Sequence, residues 1–333
     1  MARLIEAIIG HDKAKLQWMN ALKSKRLPHA LLLVGPSGIG RLGLALAWSQ
    51  ILLCDHGTGC GLCGSCLRVE NKQSESLLII TPDKNQIRIE QAHKVLEFLS
   101  LRSLSKRRAI IIEGADLLNP TAANSLLKIL EEPPPETFFF LIAPGTSQVM
   151  STIRSRSQVL RLQPLTIEEL RTKKSHVAEW ILKASQGSFE KLQSFSEVEE
   201  LEVRQAAIMY LETWLKSLQT QQPLAETESA AENYLNLTFR DAAKDRGFSS
   251  RLFYFISMLL RDVVMMKLGH ADRVLSGDQK PVLESFASII ELEKVFSMMD
   301  LSLQMEAGVL QNRDPLLMFE DFWIRTQSAE NLE

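Results

Sequence analysis

Hydrophobic positions change their spacing part-way along the chain. Over roughly the first 160 residues, short apolar runs alternate with amphipathic stretches, the pattern of a parallel sheet with crossover helices. Three runs predict strands: His29 to Val34 before Gly35, Ala109 to Ile112 before Glu113, and Phe138 to Ile142 before Pro144. Each is too short for a helix and is bounded by turn residues, so buried central strands are expected, with their C-terminal ends facing one ligand crevice. After the second strand, Asn119 predicts an N-cap and Pro120 a first helical residue. Leu126, Leu127 and Leu130 then share one face, and Pro133 stops the helix.

Around Leu162 the pattern changes. Thr166 and Glu169 carry a capping-box signature, and a second helical segment is expected near Val177 to Ser185. From about Glu202 the period is almost wholly helical: Leu252, Phe255, Ile256, Leu259, Leu260 and Val263 follow i, i+3, i+4, i+7, and Asp314-Pro315 opens a last helix through Arg325. Polar connectors are expected at Gln219 to Thr227 and at Gly269 to Lys280. The expected organisation is an α/β domain over 1–162, a small helical domain over 163–201 and a larger helical domain over 202–333.

A chain of 333 residues has room for two or three domains, and 45% hydrophobic with 23% charged residues is ordinary for a soluble globular protein. The net charge of -2 argues against a strongly basic nucleic-acid-binding chain, leaving local patches as the places where phosphate could be touched. The first apolar stretch is broken by Glu6, so no signal peptide is expected, and no run approaches the roughly 18 apolar residues of a membrane span. All four cysteines sit in one cluster rather than scattered as bridge partners, which points to a reducing cytoplasm.

The first candidate site follows the first predicted strand. A phosphate loop reads GxxxxGK[ST]: its glycines let backbone N–H groups cradle phosphate at a helix N-terminus, its Lys reaches the terminal phosphates and its hydroxyl holds magnesium. Here Gly35, Gly38 and Gly40 are in register, but Arg41 replaces the Lys and Leu42 the Ser or Thr. Arginine keeps the charge on a bulkier planar group, and leucine cannot ligate a metal. A helix-capping glycine turn without ligand explains the same residues equally well. The second strand should deliver an Asp for magnesium and a Glu to orient water. The chain has Glu113 and Gly114 there, and glycine cannot activate water, so ATP hydrolysis at this site is not expected.

The second site is the run Cys54, Cys60, Cys63 and Cys66, with spacing Cx5CxxCxxC. Four thiolates on tight turns can close a tetrahedral structural zinc site with no open position for catalysis. An iron–sulfur cluster, a redox pair and plain thiols are the alternatives, and His56 is a less favoured fifth donor. The third is Thr152 to Ser157, with Arg154 and Arg156, after the third strand. An arginine on a short helix at a subunit edge can reach a neighbour's ATP, although by composition alone a solvated or salt-bridged surface arginine fits as well. The basic run Arg102, Lys106, Arg107 and Arg108 faces either DNA or a partner, or is a solvated connection into the next strand.

Taken together, LPHALLLVGPSGIG, the cysteine knuckle, NPTAANSLLKILEEPPPETFFFLIAP, TIRSRSQ and QNRDPLLMFEDF resemble the delta-prime family of the bacterial DNA polymerase III clamp loader, of the AAA+ class. The resemblance covers nearly the whole chain and is most specific from Leu27 to Leu162. It implies a RecA-like AAA+ domain carrying an inserted zinc knuckle (54–66), a small helical lid and a C-terminal helical collar. It also implies a five-membered ring with gamma or tau and delta subunits, and through that complex a sliding clamp and primer-template DNA. By position it gives Arg156 the role of an arginine finger for the adjacent ATP-binding subunit. Three departures stand out. Ser157 replaces the family's Cys, five residues rather than eight separate the first two cysteines, and Glu190 stands where an active ATPase places a phosphate-binding Arg. The implied function is a non-hydrolysing clamp-loader subunit with nucleotide binding of its own in doubt. An active ATPase resembling gamma or tau, and a zinc-dependent nucleic-acid-binding module, are the alternatives.

Overall fold

The computed structural model describes residues 3–101, 106–220 and 245–327. Arg102 and residues 221–227 of the first expected connector lie outside the described residues. The chain divides into two compact units, one formed by Met1–His176 with Ser185–Lys191 and the other by Val177–Ala184 with Leu192–Glu333.

In the first unit five parallel strands form one sheet: β1 (Ala30–Val34), β2 (Leu77–Ile80), β3 (Arg108–Glu113), β4 (Thr137–Ala143) and β5 (Gln158–Arg161), in the order β2-β3-β4-β1-β5. The three central strands are the three apolar runs, trimmed or extended by a residue at either end. Every residue of β1 is buried, as a strand covered on both faces requires. One face packs Leu32, Ile110, Ile112 and Leu141 against the helices Ile89–Ser100 and Pro120–Glu131. The other packs Leu31, Leu33, Ile111 and Phe140 against the helix Arg41–Leu53, where Trp48 stacks on Trp18 at 4.7 Å.

The edge strands β2 and β5 were not expected. β5 exposes Gln158 and Arg161 at its ends and β2 is four residues long, so neither presents the buried apolar run that marks a central strand. Local signals elsewhere hold. Asn119 accepts the N–H of Ala122 at 2.7 Å ahead of Pro120, and Thr166 and Glu169 close a reciprocal capping box at 3.2 and 2.7 Å. The crossover connections leave the C-terminal ends of β1, β3 and β4 together, with Gly35 N–H donating to Ala143 O and Gly114 N–H to Ile142 O.

The second unit is helical. Its main helices are Val198–Thr220, Arg246–Lys267, Lys280–Ile289, Leu292–Leu310 and Pro315–Gln327, joined by the short helix Glu179–Ala184. An aromatic core holds them: Phe253 stacks on Phe319 at 4.3 Å and Trp214 on Phe286 at 5.6 Å. Buried Arg204 makes a bidentate pair with Asp278 at 2.8 and 2.9 Å, and its guanidinium lies 3.8 Å from the centre of the Trp180 ring.

Candidate functional site

The glycine loop sits where β1 turns into the helix Arg41–Leu53, with Gly40 at the N-cap in the left-handed region. Gly38 is also left-handed, at φ 75°. A β-carbon on Gly38 would lie 2.0 Å from Ser188 Oγ, 2.9 Å from Glu190 Cβ and 3.1 Å from Glu190 Oε2, and the backbone N–H groups of Phe189 and Glu190 donate to its carbonyl at 2.9 and 3.3 Å. The Gly38 side of the loop is therefore closed by the chain's own segment 188–190. Local sequence places that segment. Gln186 and Gly187 take positive φ, Gly187 is wedged against Pro164 and Leu165, and Ser188 Oγ accepts the N–H of Lys191 to start the helix Phe189–Ser194. On the other flank, His11 Nε2 lies 2.8 Å from Ile39 O.

Arg41 is partly buried at this loop. Burial pushes its guanidinium pKa down, opposed by the nearby carboxylates of Asp116, Glu113 and Glu190. Its Nη1 and Asp116 Oδ1 are buried atoms without a hydrogen-bond partner among the described residues. A nucleotide phosphate needs open glycines and an uncommitted cation. Here the space beside Gly38 is taken, the side of Gly40 is open, and the cation lies in the field of three acids of its own chain with Nη1 unpaired. Ser188 and Asp116 were not among the expected site residues; the tertiary fold brings Ser188 to Gly38 and Asp116 near Arg41.

The cysteines follow the far end of the same helix, whose 13 residues span about 20 Å. Cys54 Sγ lies 3.7 Å from Cys60 Sγ and 3.9 Å from Cys63 Sγ, and Cys60 Sγ lies 4.0 Å from Cys66 Sγ. Four thiolates around an ion at 2.3 Å stand about 3.8 Å apart, so these separations suit a tetrahedral metal. Three backbone N–H groups, of Cys60, Cys63 and Cys66, each donate to the preceding cysteine's sulfur at 3.4 Å. Gly57, Gly59 and Gly61, all at positive φ, let the loop reverse tightly enough to do this. Burial works against ionising Cys54, but the N–H groups of Cys60, Thr58 and His56 outweigh it and hold its thiol down to about 5. Burial pushes the Cys66 thiol up. His56 Nδ1 is 3.7 Å from Cys60 Sγ, and Cys54, His56, Cys60 and Cys63 offer donor atoms all within 4.8 Å of one another, a cluster that could hold a metal ion.

Arg156 follows the short helix Ser151–Arg154 and turns back onto its own unit. Its Nη2 and Nε lie 3.1 and 3.3 Å from Glu131 Oε2, and Nη1 donates to Thr152 O at 3.1 Å. Ser157 Oγ donates to Ile153 O at 2.9 Å, a bond that fixes the residue beside it. Within the basic run, Arg108 hydrogen-bonds the carbonyls of Phe98, Leu99 and Leu101, and Arg107 pairs with Glu136 at 2.7 Å, so these two serve the entry into β3.

Residues 10–166 match the sequence family described as "DNA polymerase III, delta subunit". The DNA polymerase III subunit delta' of Bacillus subtilis is 37% identical over 149 residues, covering 44% of this chain and 45% of that protein. Over residues 10–166 the chain is similar to DNA polymerase III delta-prime subunits. The subunit tau of Escherichia coli is 27% identical over 174 residues, covering 51% of this chain and 27% of that protein. The chain spans about half the length of the curated delta-prime relatives it matches. Among solved structures, a gamma-subunit-related protein of Thermotoga maritima superposes with a TM-score of 0.46 at 15% identity, covering 95% of this chain and 100% of that one. The five-stranded parallel sheet with its flanking helices is an α/β fold. Among the described residues no helix is long and apolar enough to cross a membrane.

Proposed function

We propose that this chain is a clamp-loader subunit of a DNA polymerase III holoenzyme that does not hydrolyse ATP itself and completes the ATP site of a neighbouring subunit. The observation that carries the reading is the packing of Ser188, Phe189 and Glu190 against Gly38, in a chain whose Arg41, Leu42 and Gly114 lack the side chains for magnesium and water. A fold that keeps the shape of a nucleotide site without its catalytic side chains serves assembly rather than turnover.

In this reading Arg156 reaches the terminal phosphates bound by the adjacent gamma or tau subunit. Its planar guanidinium neutralises charge that develops as the phosphoryl group is transferred, after its bonds to Glu131 exchange for bonds to phosphate oxygens. Gamma or tau, delta, the sliding clamp and primer-template DNA are the partners, in a ring of five. Residues 1–162 form the AAA+ domain, 163–201 the lid and 202–333 the collar through which the ring holds together. Zinc on Cys54, Cys60, Cys63 and Cys66 closes the knuckle as a structural ion. The similarity to tau supports a rival, an active ATPase, which predicts turnover by the chain alone that is lost on altering Arg41. The test is reconstitution with gamma or tau and delta subunits. The proposal expects no ATP turnover by the chain alone and turnover by the complex that rises with clamp and primed DNA. Turnover by the purified chain, or a complex unaffected by its omission, contradicts it.

A further inference from the structure

Cys54, His56, Cys60 and Cys63 offer donors within 4.8 Å of one another, and Cys66 Sγ lies 4.0 Å from Cys60 Sγ, so the knuckle holds five donors where a tetrahedral ion takes four. Cys54, Cys60 and Cys63 are common to both possible sets, and the fourth donor is either Cys66 Sγ, 4.0 Å from Cys60 Sγ, or His56 Nδ1, 3.7 Å from the same sulfur. The two differ in how they are held. Cys66 lies in the helix Gly64–Glu70, fully buried, with its N–H bonded to Cys63 Sγ. His56 is exposed on the loop, next to Gly57 at φ 67°, and borders a cavity of about 930 Å³ shared with Arg68 and Lys106. The ring therefore has both a short path to the ion position and room to move.

We propose that His56 is a reserve ligand: when the Cys66 thiolate leaves the ion, the imidazole takes the fourth position while Cys54, Cys60 and Cys63 stay bound. The exchange replaces one metal–sulfur bond by one metal–nitrogen bond of about 2.0–2.1 Å and leaves the other three intact. Its consequence is retention. A knuckle with a fifth donor gives up its ion more slowly than one in which each departing thiolate is replaced only by water. The inference rests on the proposed metal site, and the experiment separates the two.

Cobalt(II) added to the full, metal-free chain reports ligand type through its visible and thiolate charge-transfer bands. The unaltered chain is expected to bind one cobalt with the bands of four thiolates. Cys66→Ser is expected to bind one cobalt still, with bands shifted to shorter wavelength as one nitrogen replaces sulfur, and adding His56→Ala to that variant should weaken binding about 10- to 100-fold. Because Cys66 is buried and its variant could fail to fold, the surface variant His56→Ala gives a second reading: zinc should pass to a chelator about tenfold faster than from the unaltered chain. Absence of cobalt binding by the unaltered chain overturns the metal site itself. If that chain binds cobalt but Cys66→Ser does not, or binds it equally with and without His56, or if zinc release is unchanged in His56→Ala, only the reserve-ligand inference falls.

Discussion

The guanidinium of Arg156 is held by its own chain, with Nη2 and Nε 3.1 and 3.3 Å from the same oxygen of Glu131. Adding the bond from Nη1 to Thr152 O, three of its nitrogens are committed before any neighbour arrives. Glu131 is 61% exposed, so the pair is a surface tether worth roughly 0.2–1 kcal/mol rather than a lock.

Glu131→Gln should therefore leave thermal stability nearly unchanged. In a reconstituted loader it should raise ATP turnover by up to about fivefold at low salt, and the difference should shrink as salt screens the tether. Turnover falling as far as in an Arg156 variant would mean that Glu131 positions the arginine instead of restraining it.

Gly38→Ala should destabilise the first unit by about 1–3 kcal/mol, because a β-carbon there meets Ser188 Oγ at 2.0 Å from a backbone at φ 75°. Gly40→Ala has a similar φ of 92° but no atom within 4 Å, so it should cost less. Thermal denaturation of the two variants side by side checks the order, and an equal loss would contradict the close packing of segment 188–190.

The Cys54 thiol, held down to about 5 despite its burial, gives a pH dependence with a definite sign. A lowered folded-state value means stability present above the ordinary thiol range, lost as pH falls through about 5. Metal-free chain should thus show thiolate ultraviolet absorbance at neutral pH that disappears on acidification through that value. Absence of thiolate at pH 7 would contradict the N–H···S network.

In the second unit, Arg204→Lys keeps the charge but loses the two-pronged pair with Asp278 and the flat contact with Trp180. Destabilisation of about 1.5–3 kcal/mol is expected from chemical denaturation. A neutral outcome would show that the site needs only a positive charge.

How far this molecule can be read from its residues depends on how local each signal is. Asn119, Thr166 and Glu169 form their caps as their spacing says, since both partners of each bond lie within three residues. The buried runs of β1, β3 and β4 are legible because strands covered on both faces are apolar throughout. β2 and β5 sit at the sheet edges, where Gln158 and Arg161 meet solvent and blur the pattern. The cysteine spacing predicts a cluster that could hold a metal, yet the closeness of His56 to Cys60 depends on how three left-handed glycines turn the loop. Ser188 at Gly38, Asp116 near Arg41 and Glu131 at Arg156 are juxtapositions of residues 25 to 150 positions apart. No short-range pattern encodes them.

The central claim is that this chain supplies an arginine to another subunit's ATP. Its most direct test is the ATP turnover, with clamp and primed DNA, of a loader reconstituted with Arg156→Ala in an otherwise unaltered chain. Arginine fingers are worth about 10³ to 10⁵ in GTPases. The account predicts normal assembly with turnover at the adjacent site reduced by at least about tenfold, well beyond the effect of Glu131→Gln. Assembly and turnover both equal to those of the unaltered loader would contradict it.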